Sequence, residues 1–300
     1  MTTGILYHSS FSRRSYLTQG SRLQDFPQAL EPLLRNPRFV LIESPAITED
    51  WILKVHSRKL LEGVMRDALC STAWHSAGGV VLGAEKIALG ELRNAFAFIG
   101  AGGHHSGRDF FGGYCCFNDV VLAITVLREK HGLQRFAILD TDAHHGDGTR
   151  DLVRHDPNVL HVCLCYSAYE SPDGTKVDVP VPGGLSLWRT LGWGDDVASE
   201  EETDMDLRYY ETARQAFYDR CLRFQPDLIF WYFGFDTHRG DYGDIGLSRS
   251  AYLMIARMMT ELAEKTCHGR LEVVLGGGSR SDIARHCIPP IIAILGGESA

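Results

Sequence analysis

The sequence predicts a single α/β domain over residues 1–300, built on one open, mainly parallel β-sheet sandwiched between helices. Three observations predict it. Apolar runs of strand length recur along the chain, stretches with helical patterning lie between them, and clusters of His, Asp and Gly follow three of the runs. In chain order, FVLIES (39–44) is the first clear strand signal and WILKVHSRKLLEGVMRDAL (51–69) the first helix. A second helix is expected over 76–90, with Gly90 as its C-terminal cap, followed by the strand AFAFIGA (95–101). The stretch 118–132 has Asn118 as N-cap and Gly132 just past the end. Strands FAILDTD (136–142) and VLHVCLC (159–165) follow. After them come a helix at 209–224, the strand LIFWYFGFD (228–236), a helix at 250–266 and the strand EVVLGGG (272–278). Near-continuous hydrophobicity suits strands that are covered on both faces, as in a parallel sheet. Tyr7 and His8 sit at an expected strand end and are candidates for the rim of a pocket. Residues 166–207 carry SPDGTK, PVPGG, WGDD and the acidic run EEETD, too long for an ordinary connection, so a functional or partly mobile loop is expected. There is no Pro/Ser/Gly-rich linker and no internal repeat.

Composition narrows the function classes. A chain of 300 residues with 44% hydrophobic content can bury a large core. No apolar run reaches the roughly 20 residues of a membrane span, and the N-terminus lacks the basic start and apolar region of a signal peptide. The eight cysteines include no CxxC pair, which reads as reduced thiols in a cytoplasmic compartment; Cys115, Cys116, Cys165, Cys267 and Cys287 are expected to be small core hydrophobes. A net charge of −8 argues against a direct nucleic-acid or anionic-membrane partner and is compatible with a cationic one, such as an acyl-lysine peptide or a polyamine. The sequence sets no oligomeric state.

The polar clusters carry the chemistry. In open α/β sheets ligands bind beyond the carboxyl ends of the strands. Here AFAFIG runs into GAGGHHSG, FAIL into DTDAHHGDG, and LIFWYF into GFDTHRGD. Extended backbone alternates its side chains, so Asp140, Asp142 and His144 are expected to point the same way. Asp142 and His144, with Asp236 from a neighbouring strand end, then suit one ion with an open position, the pattern of a catalytic zinc site that iron(II) or cobalt would also accept. The adjacent His104 and His105 are candidates for general base and acid partner, with Asp140 and Asp147 as the carboxylates that fix their orientation.

With these residues assembled, the chain resembles the histone deacetylase superfamily, which has the arginase/deacetylase fold. The blocks GGHHSGRDFFGGYCCFNDVVLAI (102–124), LDTDAHHGDGT (139–149), VDVPVPGG (177–184), PDLIFWYFGFDTHRGD (226–241) and VVLGGGSRSDIARHC (273–287) occur in family order. The tail and the short N-terminus are most similar to the class IV branch. The resemblance implies one zinc ion per chain on Asp142, His144 and Asp236, active-site histidines at His104 and His105, and carboxylates Asp140 and Asp147 behind them. It implies a substrate tunnel past Gly113, Tyr114 and Gly277, and a structural potassium ion near Asp140, the backbone of Asp142 and His144, and the strand VCLC. Cys163 stands where the family commonly has a serine hydroxyl, which puts the potassium ion in question.

One departure bears on mechanism. The family's glycine motif is followed by a tyrosine that donates to the developing oxyanion, whereas here Gly276, Gly277 and Gly278 lead into Ser279, which is too short to reach the same point. Tyr242 is the leading substitute, expected near the rim; Tyr16, Arg280 and a water held by Ser279 are further candidates. Trp188 and Trp193 are candidates for the entrance. The function expected is zinc-dependent hydrolysis of an acylated amine. The rival of another class is an acyl-ligand-binding protein with weak or no turnover. An arginase-like two-metal enzyme is disfavoured, because the chain reads DAHHGD rather than DAHxD and Asp236 is followed by Thr237 and His238.

Overall fold

A computed structural model describes residues 2–13, 22–181 and 202–298. Nine strands form one sheet: β1 (Thr3–Tyr7), β2 (Phe39–Glu43), β3 (Asn94–Ala97), β4 (Phe136–Asp140), β5 (Val159–Cys165), β6 (Tyr169–Glu170), β7 (Lys176–Pro180), β8 (Leu228–Phe233) and β9 (Leu271–Leu275). Their order is β2-β1-β3-β9-β8-β4-β5-β7-β6, and every neighbouring pair is parallel except β6 with β7. The helices are α1 (Glu31–Leu34), α2 (Glu49–Val55), α3 (Arg58–Arg66), α4 (Ala73–Ala88), α5 (Asp119–His131), α6 (Asp147–Val153), α7 (Asp204–Ala213), α8 (Asp219–Phe224), α9 (Arg249–Cys267) and α10 (Ser281–Leu295). Helices α2, α4, α5 and α6 pack together as one group and α7 to α10 as another, and these groups flank the sheet.

The expected mainly parallel α/β architecture is therefore present. Strands β4, β5 and β8 are buried at every residue, as their near-continuous hydrophobicity requires once helices cover both faces. The chain builds outward from β3 to β1 and β2 on one side and from β4 to β5, β7 and β6 on the other, with β8 and β9 inserted between. That order brings the loops after β3, β4, β8 and β9 side by side, where an open α/β sheet forms its crevice.

Several expectations change in detail. The run at 39–44 is an edge strand, β2, leaving Val40 and Leu41 exposed. The helix expected over 51–69 is broken at His56, whose backbone is extended, because Ser57 turns its hydroxyl to accept from Leu60 N and starts α3. The helix expected at 209–224 starts at Asp204, where Thr203 and Asp206 form a capping box, and passes through a π-helical turn at Arg214–Tyr218. Residues 166–181 contain the β6–β7 hairpin; Tyr16, Trp188 and Trp193 lie outside the described residues. The cysteine reading is corrected at one pair. Cys70 and Cys116, 46 residues apart, form a disulfide with Cα atoms 6.1 Å apart, within bridging range. The remaining six cysteines are free and buried.

Helix α5 has both of its expected ends. The Asn118 side chain accepts from Val121 N, and Gly132 follows the last turn in a left-handed conformation. Asn118 also donates to Ser106 O (3.1 Å) and Thr149 Oγ1 (3.0 Å), which ties the helix start to the loop carrying the histidine pair. Asn118→Ala removes the cap and strands a buried carbonyl. It is expected to destabilise the protein by roughly 2–4 kcal/mol, read as a lower urea midpoint.

Candidate active site

Strand β4 stops at Asp140, so Asp142 and His144 are not carried by extended backbone, contrary to the alternation expected from sequence. Two successive side-chain turns hold them instead. Asp140 Oδ1 accepts from Asp142 N (3.1 Å), and Asp142 Oδ1 accepts from His144 N (3.0 Å), the local bonding that aspartate favours in turns. The outcome is convergence all the same. His144 Nδ1 lies 3.1 Å from Asp142 Oδ1 and 3.1 Å from Asp236 Oδ2. Asp236 follows β8 and is aimed by Ala143 N, which donates to its Oδ1 at 3.1 Å.

Electrostatics mark this spot for a cation. Asp142 and Asp236 are fully buried, and one ring nitrogen can offer at most one hydrogen to two carboxylate oxygens. Burial, reinforced by the Asp142 charge, pushes the Asp236 carboxyl up to about 7. Although burial opposes charge on His144, Asp142 and Asp236 raise it to about 11. The three donor atoms lie within 4.8 Å of one another and form a group able to hold a metal ion.

The loop after β3 brings the two histidines alongside. His104 Nδ1 is 3.0 Å from Asp140 Oδ2, in a fully buried pair, and its ring stacks on Tyr232. His105 Nδ1 is 2.6 Å from Asp147 Oδ1, in a more open pair at the start of α6. Each imidazole thus has a carboxylate on Nδ1, and the Nε2 of His104 lies 3.7 Å from Asp142 Oδ1. Their environments differ in sign. Burial opposes charge on His104, but Asp142 and Asp140 overcome it and raise the group to about 9. Burial and the neighbouring His104 lower His105, and Asp147 only partly offsets them. Both histidines, with Asp142, His144, Gly113, Tyr114, Gly277 and Tyr242, line one cavity of about 260 Å³. A larger hollow of about 690 Å³ beside Thr203, Arg208 and Arg239 contains none of these groups.

Of the residues expected from sequence, His104, His105, Asp142 and His144 thus line one cavity, while Asp140, Asp147 and Asp236 stand behind them as hydrogen-bonding or ion-pairing partners. Residues 17–295 match the family model described as the histone deacetylase domain. This chain belongs to the histone deacetylase family. It is 27% identical over 312 residues to a probable deacetylase of Archaeoglobus fulgidus, covering 93% of this chain and 81% of that protein. It is 26% identical over 282 residues to a histone deacetylase-like amidohydrolase of Pseudomonas aeruginosa, covering 87% and 71%. The crystal structure of the HDA15 HD domain shares the fold, with a TM-score of 0.79 at 22% identity over 99% of this chain and 90% of that one. Family and relatives together support a hydrolase.

Against this deacetylase framework the remaining site residues sort themselves. Gly277 is forced by crowding: a Cβ there would lie 2.6 Å from Asp142 Oδ2, 2.7 Å from Tyr242 Oη and 2.8 Å from Asp236 Oδ2. Its N–H donates to Asp142 Oδ2 at 2.6 Å. Tyr242 is deeper than the rim position expected: its hydroxyl accepts from Gly278 N (3.1 Å), and its ring lies 5.5 Å from that of His144. Ser279 does not line the cavity. Its hydroxyl donates to Asp241 Oδ1 (2.9 Å), and its N–H donates to the same carboxylate. Arg280 is paired with Asp282, and His8 stacks on His75, so neither is among the lining residues.

Gly113 and Tyr114 both have positive φ, 54° and 62°, which turns the tyrosine into the cavity. A Cβ on Gly113 would come 2.5 Å from His105 Cδ2. Gly113→Ala is therefore expected to displace the His105 ring and to add at least about 1 kcal/mol of backbone strain. The measured signature is a reduced kcat with metal content unchanged.

Two supporting residues escaped the sequence reading. Arg22 is fully buried and donates to Gly276 O (2.5 Å), Ile99 O (3.0 Å) and Gly278 O (3.3 Å), clamping the glycine turn after β9. Asp241 accepts from Ser279 and Arg280 and fixes where that turn goes next. Asp241 lies in the quoted HRGD block, but an isolated arginine at 22 carries no sequence signal.

Proposed function

We propose that this deacetylase-family protein is a zinc-dependent amidohydrolase that removes the acyl group from an acylated amine of the acyl-lysine or acyl-polyamine type. The observation that carries the reading is that His104 and His105, each backed by an aspartate, share one cavity with Asp142 and His144, and that Asp236 lies 3.1 Å from His144 Nδ1.

The donor set fits zinc. With zinc–nitrogen and zinc–oxygen bonds near 2.0–2.2 Å, a tetrahedral site has ligand–ligand edges of about 3.4 Å. The 3.1 Å separations around His144 Nδ1 need only a slight opening. Two carboxylates and one imidazole leave a position for substrate, as catalytic sites do. A zinc ion held there supplies Lewis acidity, polarising an acyl oxygen and making nearby water more acidic.

The chain's own groups divide the proton work. Two titratable groups whose surroundings drive them apart identify base and acid. His105, lowered, is neutral near pH 7 and accepts the proton of the attacking water at Nε2. His104, held through Nδ1 by the buried Asp140, steadies negative charge at the acyl centre and passes a proton to the leaving nitrogen as the C–N bond breaks. Asp147 and Asp140 hold the two rings by their Nδ1 atoms. Tyr114 and Gly113 form a wall of the acyl path. The products are a carboxylate and a free amine.

The decisive experiment joins metal analysis to a panel of short and long acyl-lysines and acyl-polyamines in single turnover. Metal-free protein is expected to lose hydrolysis and to regain it with zinc. Hydrolysis that survives metal removal would overturn the reading, as would an essential pair of manganese ions at this site. Tight acyl-ligand binding without product would mark the protein as an acyl-ligand binder.

A further inference from the structure

A second group of metal-type donors lies one strand away, and the proposed hydrolysis uses none of it. Cys163 and Cys165 are two residues apart on β5 and so share a face of the sheet. Cys163 is in register with Asp178 on β7, which puts the carboxylate beside the thiols. His145, immediately after the ion-holding His144, turns the other way. Its Nδ1 lies 3.5 Å from Cys165 Sγ and 3.6 Å from Asp178 Oδ1. One donor atom from each of these four residues lies within 4.8 Å of all the others.

We propose that His145, Cys163, Cys165 and Asp178 form a second cation site, selective for a thiophilic divalent ion such as zinc. It shares the strand VCLC with the potassium site that the resemblance implies, and its donor chemistry argues for a different ion. Thiolate sulfur binds soft and borderline ions strongly and potassium poorly. Mixed sulfur, nitrogen and oxygen bonds of about 2.0–2.3 Å around a tetrahedral ion give edges of about 3.4–3.6 Å, matching the two distances from His145.

Three further features belong to a built site. Cys163, Cys165 and Asp178 are buried. Backbone N–H groups of Gly146 and Ser167 point at Cys163 Sγ and Cys165 Sγ, each at 3.5 Å, the outer hydrogen bonds that steady thiolate ligands. Arg150 grips the Asp178 carboxylate through two nitrogens at 2.6 and 3.2 Å. Two thiolates and one carboxylate are balanced by that guanidinium and a divalent ion, with His145 neutral, whereas a monovalent ion leaves excess negative charge in a buried place. Cys165, buried as the sequence reading expected, also meets His145 Nδ1 through its sulfur. Because His145 adjoins His144 and Cys163 is in register with Asp140, an ion here would brace the loop that carries the hydrolytic site.

The proposal does not rest on the hydrolytic reading, and cobalt(II) separates the two. Only thiolate ligation produces an intense sulfur-to-cobalt charge-transfer band in the near ultraviolet; the Asp142, His144 and Asp236 group cannot. The metal-free full chain, with the Cys70–Cys116 bridge intact and the other six cysteines as thiols, is titrated with cobalt and the bound ion counted. Wild type should bind two equivalents and develop the band. Cys163→Ser/Cys165→Ser should lose the band and one equivalent. Asp236→Asn should lose the other equivalent and keep the band. Should the double variant fail to fold, His145→Asn, at a position where the side chain is 18% exposed, should bind the second ion more weakly. Wild type that takes one ion with no band overturns the proposal, as does a band that persists in the double variant.

Discussion

His105→Ala should lower kcat/KM for the best acyl-amine substrate by about 10²–10⁴-fold, the usual loss when a positioned general base is removed. Metal content should stay at the wild-type level, because none of the three donor atoms belongs to His105. The substitution removes the imidazole whose surroundings keep it neutral, facing a cavity also lined by Asp142 and His144, two of the proposed zinc ligands. Asp147→Asn should cost less than Asp140→Asn. The Asp147 side chain is 53% exposed and water can replace part of its bond to His105, whereas Asp140 is 1% exposed and water cannot enter. Rates measured alongside zinc per chain separate this outcome from simple loss of the ion. Wild-type turnover by His105→Ala would remove that residue from the chemistry.

How much of this was legible in the sequence depends on the range of the physics involved. The strands β4, β5 and β8 announce themselves because full burial on both faces favours a nearly continuous apolar run. Helix α5 is legible at both ends because Asn118 and Gly132 act locally. The site residues were legible because parallel topology sends consecutive strand ends to one crevice. Non-local or short features were not. Strand β1 is five residues long and includes Gly4, so the sequence marks only its end at Tyr7, and its position between β2 and β3 supplies the rest. Helix α10 contains Pro289 and Pro290, which argue against a helix in any local reading, yet its apolar face packs on the core. The Cys70–Cys116 bridge and the Arg22 clamp join distant segments and leave no trace in spacing. Asp142 and His144 meet as expected but by side-chain turns rather than strand alternation, because β4 ends two residues earlier than the apolar pattern suggested.

Tyr242→Phe should lower kcat by about 10²–10³-fold, the cost of losing one donor to a developing oxyanion. The argument rests on where the hydroxyl sits and what it already does. It accepts from Gly278 N, so its own hydrogen remains available to a substrate oxygen. It crowds the same point beside Gly277 as Asp142 Oδ2 and Asp236 Oδ2, the two carboxylates proposed to hold zinc. Burial, ahead of the Asp236 and Asp142 charges, pushes its phenol well above the ordinary tyrosine range, so it stays a protonated donor across the working pH. Ser279→Tyr should not restore the loss. The Ser279 hydroxyl and N–H both engage Asp241, and a phenol at 279 must give up the hydroxyl bond and find room beside a cavity that Tyr242 already fills. The comparison that decides it is Tyr242→Phe against Tyr242→Phe/Ser279→Tyr on one substrate, with zinc per chain measured for both. Equal activity of Tyr242→Phe and wild type would mean that the oxyanion donor comes from elsewhere. Recovery in the double variant would mean that position 279 can still address the cavity.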